Sequence, residues 1–198
     1  MTDAEKYALP HVGGEVPRRN YGFLETAGCI VLRKLGWRVE GEFPDLPRVV
    51  IALAPHSSNW DFVIGAATVF ALRLRVAFIG KHTLFTGLLG HFMRWLGGIP
   101  IDRARPEGLV DAMVAEFARR DKLWLAIAPE GTRTCGAQFK SGFYRIAKAV
   151  GVPVFPVYFN YRRKVIGLLA PIQPDLETIQ GVEAVRKLLG QHGARKPG

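Results

Sequence analysis

Cysteine is scarce in this chain. Cys29 and Cys135 are the two in 198 residues, they stand among apolar or small neighbours, and no C-x-x-C spacing joins them. A disulfide framework and a cysteine-built zinc site are therefore poor organising principles, and a reducing cytosol is the expected compartment. Acid is short as well: 17 Asp and Glu face 27 Lys and Arg, a net charge of +10. An excess of that size predicts a polyanionic partner, be it nucleic acid, an anionic membrane surface or an anionic substrate. No uninterrupted run of about 18 apolar residues occurs, the length a spanning helix needs. Ile64 to Ile79 is broken by Arg73 and Arg75, and Ala27 to Trp37 is short and carries Arg33 and Lys34. The opening Met1 to Lys6 lacks signal-peptide character and Thr2 excludes myristoylation, so export is not expected.

Several chemical motifs are missing too. Without G-x-S-x-G there is no serine elbow, and without G-x-G-x-x-G or G-x-x-x-x-G-K-[ST] there is no standard dinucleotide or triphosphate cradle. His11, His82, His91 and His192 lack metal-ligand spacing, which predicts no metal site. The basic residues are dispersed and the aromatics do not interleave with them, which argues against nucleic acid.

What is present is the composition of one globular domain, 48% hydrophobic and 22% charged. Residues 1–20, with Pro10, Gly13, Gly14, Pro17 and the pair Arg18-Arg19, read as a loose N-terminal arm. Residues 21–189 read as the folded domain and 190–198 as a flexible basic tail. Phe23, Leu24, Ala27, Ile30, Val31 and Leu35 recur at helical spacing beside Arg33, Lys34 and Arg38, a basic amphipathic helix that either covers the core or presses on anionic lipid. Short apolar runs then alternate with helical patterns: strands at 49–54, 76–79, 98–101, 123–128, 154–159 and 164–168, and helices at 59–72, 83–96, 109–118, 142–150 and 175–189. That alternation predicts a single α/β domain, a largely parallel mixed sheet with helices on both faces. The stripe Leu84, Phe85, Leu88, Leu89, Phe92, Met93, Leu96 is either core or the wall of a groove for an aliphatic chain.

Three charged clusters each follow a predicted strand. In Pro55-His56-Ser57-Ser58-Asn59-Trp60-Asp61, His56 and Asp61 point apart if the segment is wholly helical, some 140° from alignment at about 3.6 residues per turn. With His56 in the loop and Ser58 or Asn59 capping the helix, Asp61 falls in the first turn and can hold one ring nitrogen, leaving the other as a proton acceptor. The alternative is a histidine buried by Trp60 and an aspartate favouring a helix N-terminus. The second cluster is Gly97-Gly98-Ile99-Pro100-Ile101-Asp102-Arg103, and the third Pro129-Glu130-Gly131-Thr132-Arg133-Thr134. In open α/β sheets ligands gather beyond the carboxyl ends of the strands, so one site is expected to collect His56, Asp61, Arg103, Glu130 and Arg133.

His-x-x-x-x-Asp at 56–61, Gly98 to Arg103, Pro129 to Arg133 and Val152-Pro153-Val154-Phe155-Pro156-Val157, in that order over residues 50–160, together resemble the glycerolipid acyltransferase family, best known through its lysophosphatidic acid acyltransferases. The resemblance implies acyl transfer from acyl-CoA or acyl carrier protein to a hydroxyl of a lysophospholipid-like acceptor, with no cofactor. It implies His56 as base and Asp61 as its orienting partner. It links Arg103, Glu130, Gly131 and Arg133 with the acceptor's phosphate and makes Lys81 a weaker phosphate candidate. The sequence departs from the family in two respects: Pro55 stands where many members have asparagine, and longer N-terminal hydrophobic helices are not seen. The net charge then suits an anionic donor and an anionic membrane, at whose inner, cytoplasmic face the protein is expected to sit peripherally. The apolar stripes 23–35 and 84–96 would touch acyl chain or bilayer. Other readings are an acyltransferase with an amino-lipid or sugar-lipid acceptor, and a non-catalytic basic membrane-binding protein. Backbone N–H groups near Ser57, Asn59 or Gly131 are candidate oxyanion donors.

Overall fold

A computed structural model of the chain describes residues 8–56, 58–101, 108–131 and 138–194. Helix α1 (Phe23–Leu35) precedes strands β1 (Arg38–Glu40) and β2 (Arg48–Ala54), helix α2 (Asn59–Ala71) and strand β3 (Val76–Lys81). A 3-10 turn (His82–Phe85), α3 (Gly87–Trp95), β4 (Gly98–Ile101), α4 (Leu109–Ala118) and β5 (Leu123–Ile127) follow. The chain continues through α5 (Gly142–Val150), β6 (Val154–Asn160), β7 (Val165–Leu168) and α6 (Thr178–His192). Among the described residues the strands form one sheet, ordered β1-β7-β6-β2-β5-β3-β4. Every pairing is parallel except β6 with β7. This is the mixed, largely parallel α/β sheet that the alternating pattern predicts.

From Val49 onwards the central strand β2 is apolar because it is covered twice. Side chains alternate across a strand, so Val50, Ala52 and Ala54 pack with Met113 of α4, Phe143 of α5 and Leu189 of α6. Val49 and Ile51 face the other way, towards Leu32 of α1 and Ile64 of α2. Helix α3 lies on this second side. Phe78, which meets Phe62 of α2, is paired with Gly98, and Gly80 with Pro100, so both glycines point the same way as Phe78. A Cβ on Gly80 or Gly98 would come within 2.8 or 2.6 Å of the Phe85 ring, which occupies the space they leave. Seating that ring divides the helix expected over 83–96 into a 3-10 turn and α3, whose first residue Gly87 has φ +57°.

Two further departures concern the ends. Strand β1 has three residues, too few for a readable alternation, and it exists through its pairing with β7. The last helix starts at Thr178 and ends at His192 rather than spanning 175–189. Before α1, Val16 is buried, Arg19 N–H donates to Arg73 O at 2.9 Å and Arg75 N–H to Pro17 O at 2.8 Å.

Helices α1 and α2 touch through Gly28, where an added Cβ would lie 2.5 Å from Ala67 O and 2.9 Å from Ala71 N. Backbone cannot swing aside as a side chain does. Gly28→Ala gains about 1 kcal/mol of helix propensity, yet overpacking costs typically 1–3 kcal/mol. The variant is expected to be less stable than the parent by about 1 kcal/mol in urea unfolding; a gain in stability would show that the helices separate freely.

Candidate active site

Strands β2, β3, β4, β5 and β6 run in one direction, so their carboxyl ends share one edge of the sheet. His56 leaves β2 through the cis peptide Ala54–Pro55. Two residues on, Ser58 is the N-cap of α2: its Oγ accepts the Trp60 N–H at 3.2 Å, while its own N–H donates to Asp61 Oδ2 at 2.7 Å. This reciprocal cap satisfies orphan donors of the first turn and turns the Asp61 carboxylate back towards the loop. Asp61 Oδ2 then lies 3.3 Å from His56 Nδ1. The His56 side chain is 25% exposed whereas that of Asp61 is fully buried, and Trp60 is itself 46% exposed. The geometry is that of the capped-loop alternative, in which the imidazole stays open to solvent.

Glu130, at the exit of β5, is buried, and its Oε2 accepts the backbone N–H of His56 at 2.7 Å. The carboxylate thereby ties the β5 loop to the β2 loop and fixes the histidine main chain. Gly131 has φ +64° and its N–H donates to Ala128 O at 3.1 Å, so that donor is engaged in a turn. Lys81 is the last residue of β3 and exposed; β5 alone separates β3 from β2, roughly 10 Å at normal strand spacing. Arg103 and Arg133, like Ser57 and Cys135, lie outside the described residues.

Two residues join the site that the sequence did not single out. Tyr161 follows β6 directly, and its hydroxyl donates a hydrogen bond to Asp61 Oδ1. Burial first, then that bond to the carboxylate, pushes the phenol well above its ordinary value of 10.0, so it remains a proton donor across the working range. Lys140 is the other: at Gly131 an added Cβ would meet its Cε at 3.0 Å and Nζ at 3.3 Å, and its N–H donates to Pro129 O at 2.8 Å. The only signal for Tyr161 was its position one residue past a strand parallel to β2. Lys140 carried no signal, because its approach depends on the return of the chain after residue 137. Among the described residues no group of three His, Cys, Asp or Glu side chains is arranged to hold a metal ion.

By fold and site this is an α/β domain whose polar cluster gathers beyond the carboxyl ends of parallel strands. The Acyltransferase family model matches residues 38–160, a span running from β1 to the end of β6. The chain belongs to that family. It is 28% identical over 172 residues to a 1-acyl-sn-glycerol-3-phosphate acyltransferase of Streptococcus pneumoniae, covering 82% of this chain and 62% of that protein. It is 29% identical over 154 residues to the Escherichia coli protein of the same name, with 70% and 61% covered. The chain thus spans less than two thirds of the length of these relatives. The crystal structure of the 1-acyl-sn-glycerophosphate acyltransferase PlsC from Thermotoga maritima superposes with a TM-score of 0.64 at 20% identity, covering 85% of this chain and 76% of that one, which shows a shared fold.

Proposed function

We propose that the protein moves a fatty acyl group from a thioester donor, acyl-CoA or acyl carrier protein, to a hydroxyl of a lysophosphatidate-like acceptor. The observation that carries this reading is the open His56 imidazole held at Nδ1 by buried Asp61, in a chain whose relatives bear acyltransferase names. The acceptor hydroxyl is far too weak an acid to attack unaided, so His56 Nε2 takes its proton as oxygen bonds to the thioester carbon. A tetrahedral oxyanion forms and collapses, the carbon–sulfur bond breaks, and the thiolate leaves and collects the proton from the imidazolium. Asp61 is a positioning residue that fixes the tautomer and steadies the transient cation. Glu130 positions the His56 main chain. Asn59, first residue of α2, has no carbonyl behind it within the helix, and its N–H is the backbone donor best suited to the oxyanion.

Arg103, Arg133 and Lys81 would bind the acceptor's phosphate, with Lys140 a fourth cation against Gly131. Arginine suits the task through its planar fork. No cofactor enters this scheme. The working location is the inner face of a membrane, where the acceptor lipid resides. Among the described residues no helix is long and apolar enough to cross a membrane.

The test is thiol release from acyl-CoA or acyl carrier protein with and without lysophosphatidate. Release that requires the acceptor is expected; release without it would make the protein a thioesterase, and none with either donor overturns the reading. Arg103→Ala should raise KM for the phosphorylated acceptor by roughly tenfold to a hundredfold, the worth of a lost charged hydrogen bond, and leave an unphosphorylated alcohol acceptor unaffected. Equal loss on both acceptors would favour an amino-lipid or sugar-lipid acceptor.

A further inference from the structure

Helix α3 is amphipathic in the inverted sense. Its buried residues are Gly90 and Met93, turned to the sheet, and a Cβ on Gly90 would strike the Phe85 backbone. The residues on its outer side are large and apolar: Leu88 is 92% exposed, Leu89 54%, Phe92 46% and Trp95 40%. Leu88, Phe92 and Trp95 stand at i, i+4 and i+7, so they form one stripe on one face. Leu84 of the preceding turn extends it. Trp60, Phe62 and Val63 are likewise exposed at the start of α2, the helix whose cap holds Asp61 beside His56. Large apolar side chains exposed along one helix face of a folded domain mark a docking site.

Charge says what docks there. From Phe62 to Ile101 the sequence holds Arg73, Arg75, Lys81 and Arg94 and no Asp or Glu at all. Lys81 and His82 lie exposed at the leading end of α3 and Arg94 in its last turn. At the trailing end Arg19, Arg75 and Arg94 line a cleft of about 170 Å³ beside Trp95. The Arg19 guanidinium sits 4.5 Å from the centre of the Trp95 ring and donates to Trp95 O at 2.6 Å. An apolar middle with cations at both ends and a tryptophan at the boundary is the pattern of a helix lying in a membrane interface. A second copy of the chain would present the same cations, Arg19, Lys81 and Arg94, and like charges would face each other across a two-fold axis.

We infer that the outer face of α3, with the turn before it and the exposed start of α2, lies flat on an anionic lipid leaflet. The docking face rests on exposure and charge alone; its purpose, delivering a lipid acceptor to His56 without passage through water, rests on the acyl-transfer reading.

The test is vesicle flotation of the full chain against phosphatidylcholine alone and against equal parts phosphatidylcholine and phosphatidylglycerol. The wild type is expected to partition roughly tenfold or more better onto the anionic vesicles and to lose that margin at high salt. The double variant Leu88→Asp/Leu89→Asp should lower anionic partitioning by about tenfold or more, with its thermal midpoint unchanged because both side chains are exposed. Leu88→Ser/Leu89→Ser, free of added charge, should fall between. Turnover of short-chain, water-soluble substrates should survive in both variants while turnover of vesicle-embedded acceptor drops. Wild-type partitioning by the aspartate variant overturns the proposal. So does equal wild-type binding to both vesicle types, or a wild-type dimer that the variant splits without any vesicle binding. Loss of vesicle binding by the variants in a protein that shows no acyl transfer would sustain the docking face and count against the catalytic reading alone.

Discussion

His56→Ala is expected to lower kcat for thioester-dependent acyl transfer by roughly 10²–10⁴, the usual worth of a positioned general base, with little change in the stability of the fold. The separation of the two effects follows from how His56 is held. Its main-chain N–H is the group bonded to Glu130, and truncation at Cβ leaves that bond and the buried Glu130 carboxylate intact. Asp61 loses the Nδ1 neighbour but keeps the Ser58 N–H and the Tyr161 hydroxyl. A side chain already 25% exposed leaves no closed cavity behind, so the large costs of core truncation do not apply. Steady-state thiol release and thermal unfolding on the same preparation check both halves. Undiminished turnover would remove His56 as the base. A large drop in melting temperature with the rate per folded molecule unchanged would make the histidine a packing residue.

How far the sequence carried the fold can be read from particular residues. The helices Leu109–Ala118 and Gly142–Val150 and the strand Gly98–Ile101 have the boundaries that periodicity predicts, since each has a wholly local signal of apolar spacing bounded by glycine, serine or a charged turn. The α3 region was harder. Its apolar spacing is that of a core helix, and Met93 and Leu96 are indeed buried while Leu88 and Phe92 are not. Spacing identifies a face and says nothing about which side of the helix meets the sheet. Phe85 decides that, by filling the room left at Gly80 and Gly98, a contact among three segments that no local pattern encodes. The same limit applied to the site. The His56–Asp61 geometry was legible because a capped helix start and its loop lie within six residues. The contacts of Glu130 with the His56 N–H and of Tyr161 with Asp61 bridge 74 and 100 residues, and only the parallel sheet brings them to one edge. Helix α1 was open between core cover and lipid contact; Leu32 and Gly28 are buried against α2, while Phe23 and Ile30 stay exposed.

Asp61→Asn and Tyr161→Phe together separate orientation from stability. Asp61 is 1% exposed, and among the described residues its oxygens face Ser58 N–H, His56 Nδ1 and the Tyr161 hydroxyl. An asparagine keeps one acceptor oxygen and replaces the other by an amide donor. If the NH2 turns to the Ser58 and His56 side, it opposes the backbone N–H and forces Nδ1 to accept, which places the ring proton on Nε2 and removes the base. If it turns to Tyr161, the phenol must accept instead of donate, the carbonyl oxygen remains for Nδ1–H, and the negative charge that steadies the imidazolium is gone. Either way kcat is expected to fall by roughly 10²–10⁴, as for a base deprived of its orienting carboxylate, and about 1.5–3 kcal/mol of stability should go with one charged hydrogen bond. Tyr161→Phe removes a single donor and leaves the carboxylate its charge and both other partners. Its expected effect is about 1–3 kcal/mol in urea unfolding and less than tenfold in kcat. It should also lower by one the number of tyrosines that resist ionisation in an alkaline spectrophotometric titration, since burial and the Asp61 bond hold that phenol well above its ordinary value, as burial does those of Tyr21 and Tyr144. A rate loss in Tyr161→Phe as deep as in Asp61→Asn would mean that the hydroxyl itself reaches the reacting atoms. Two variants with equal unfolding costs and wild-type rates would reduce the Asp61 carboxylate to a helix cap.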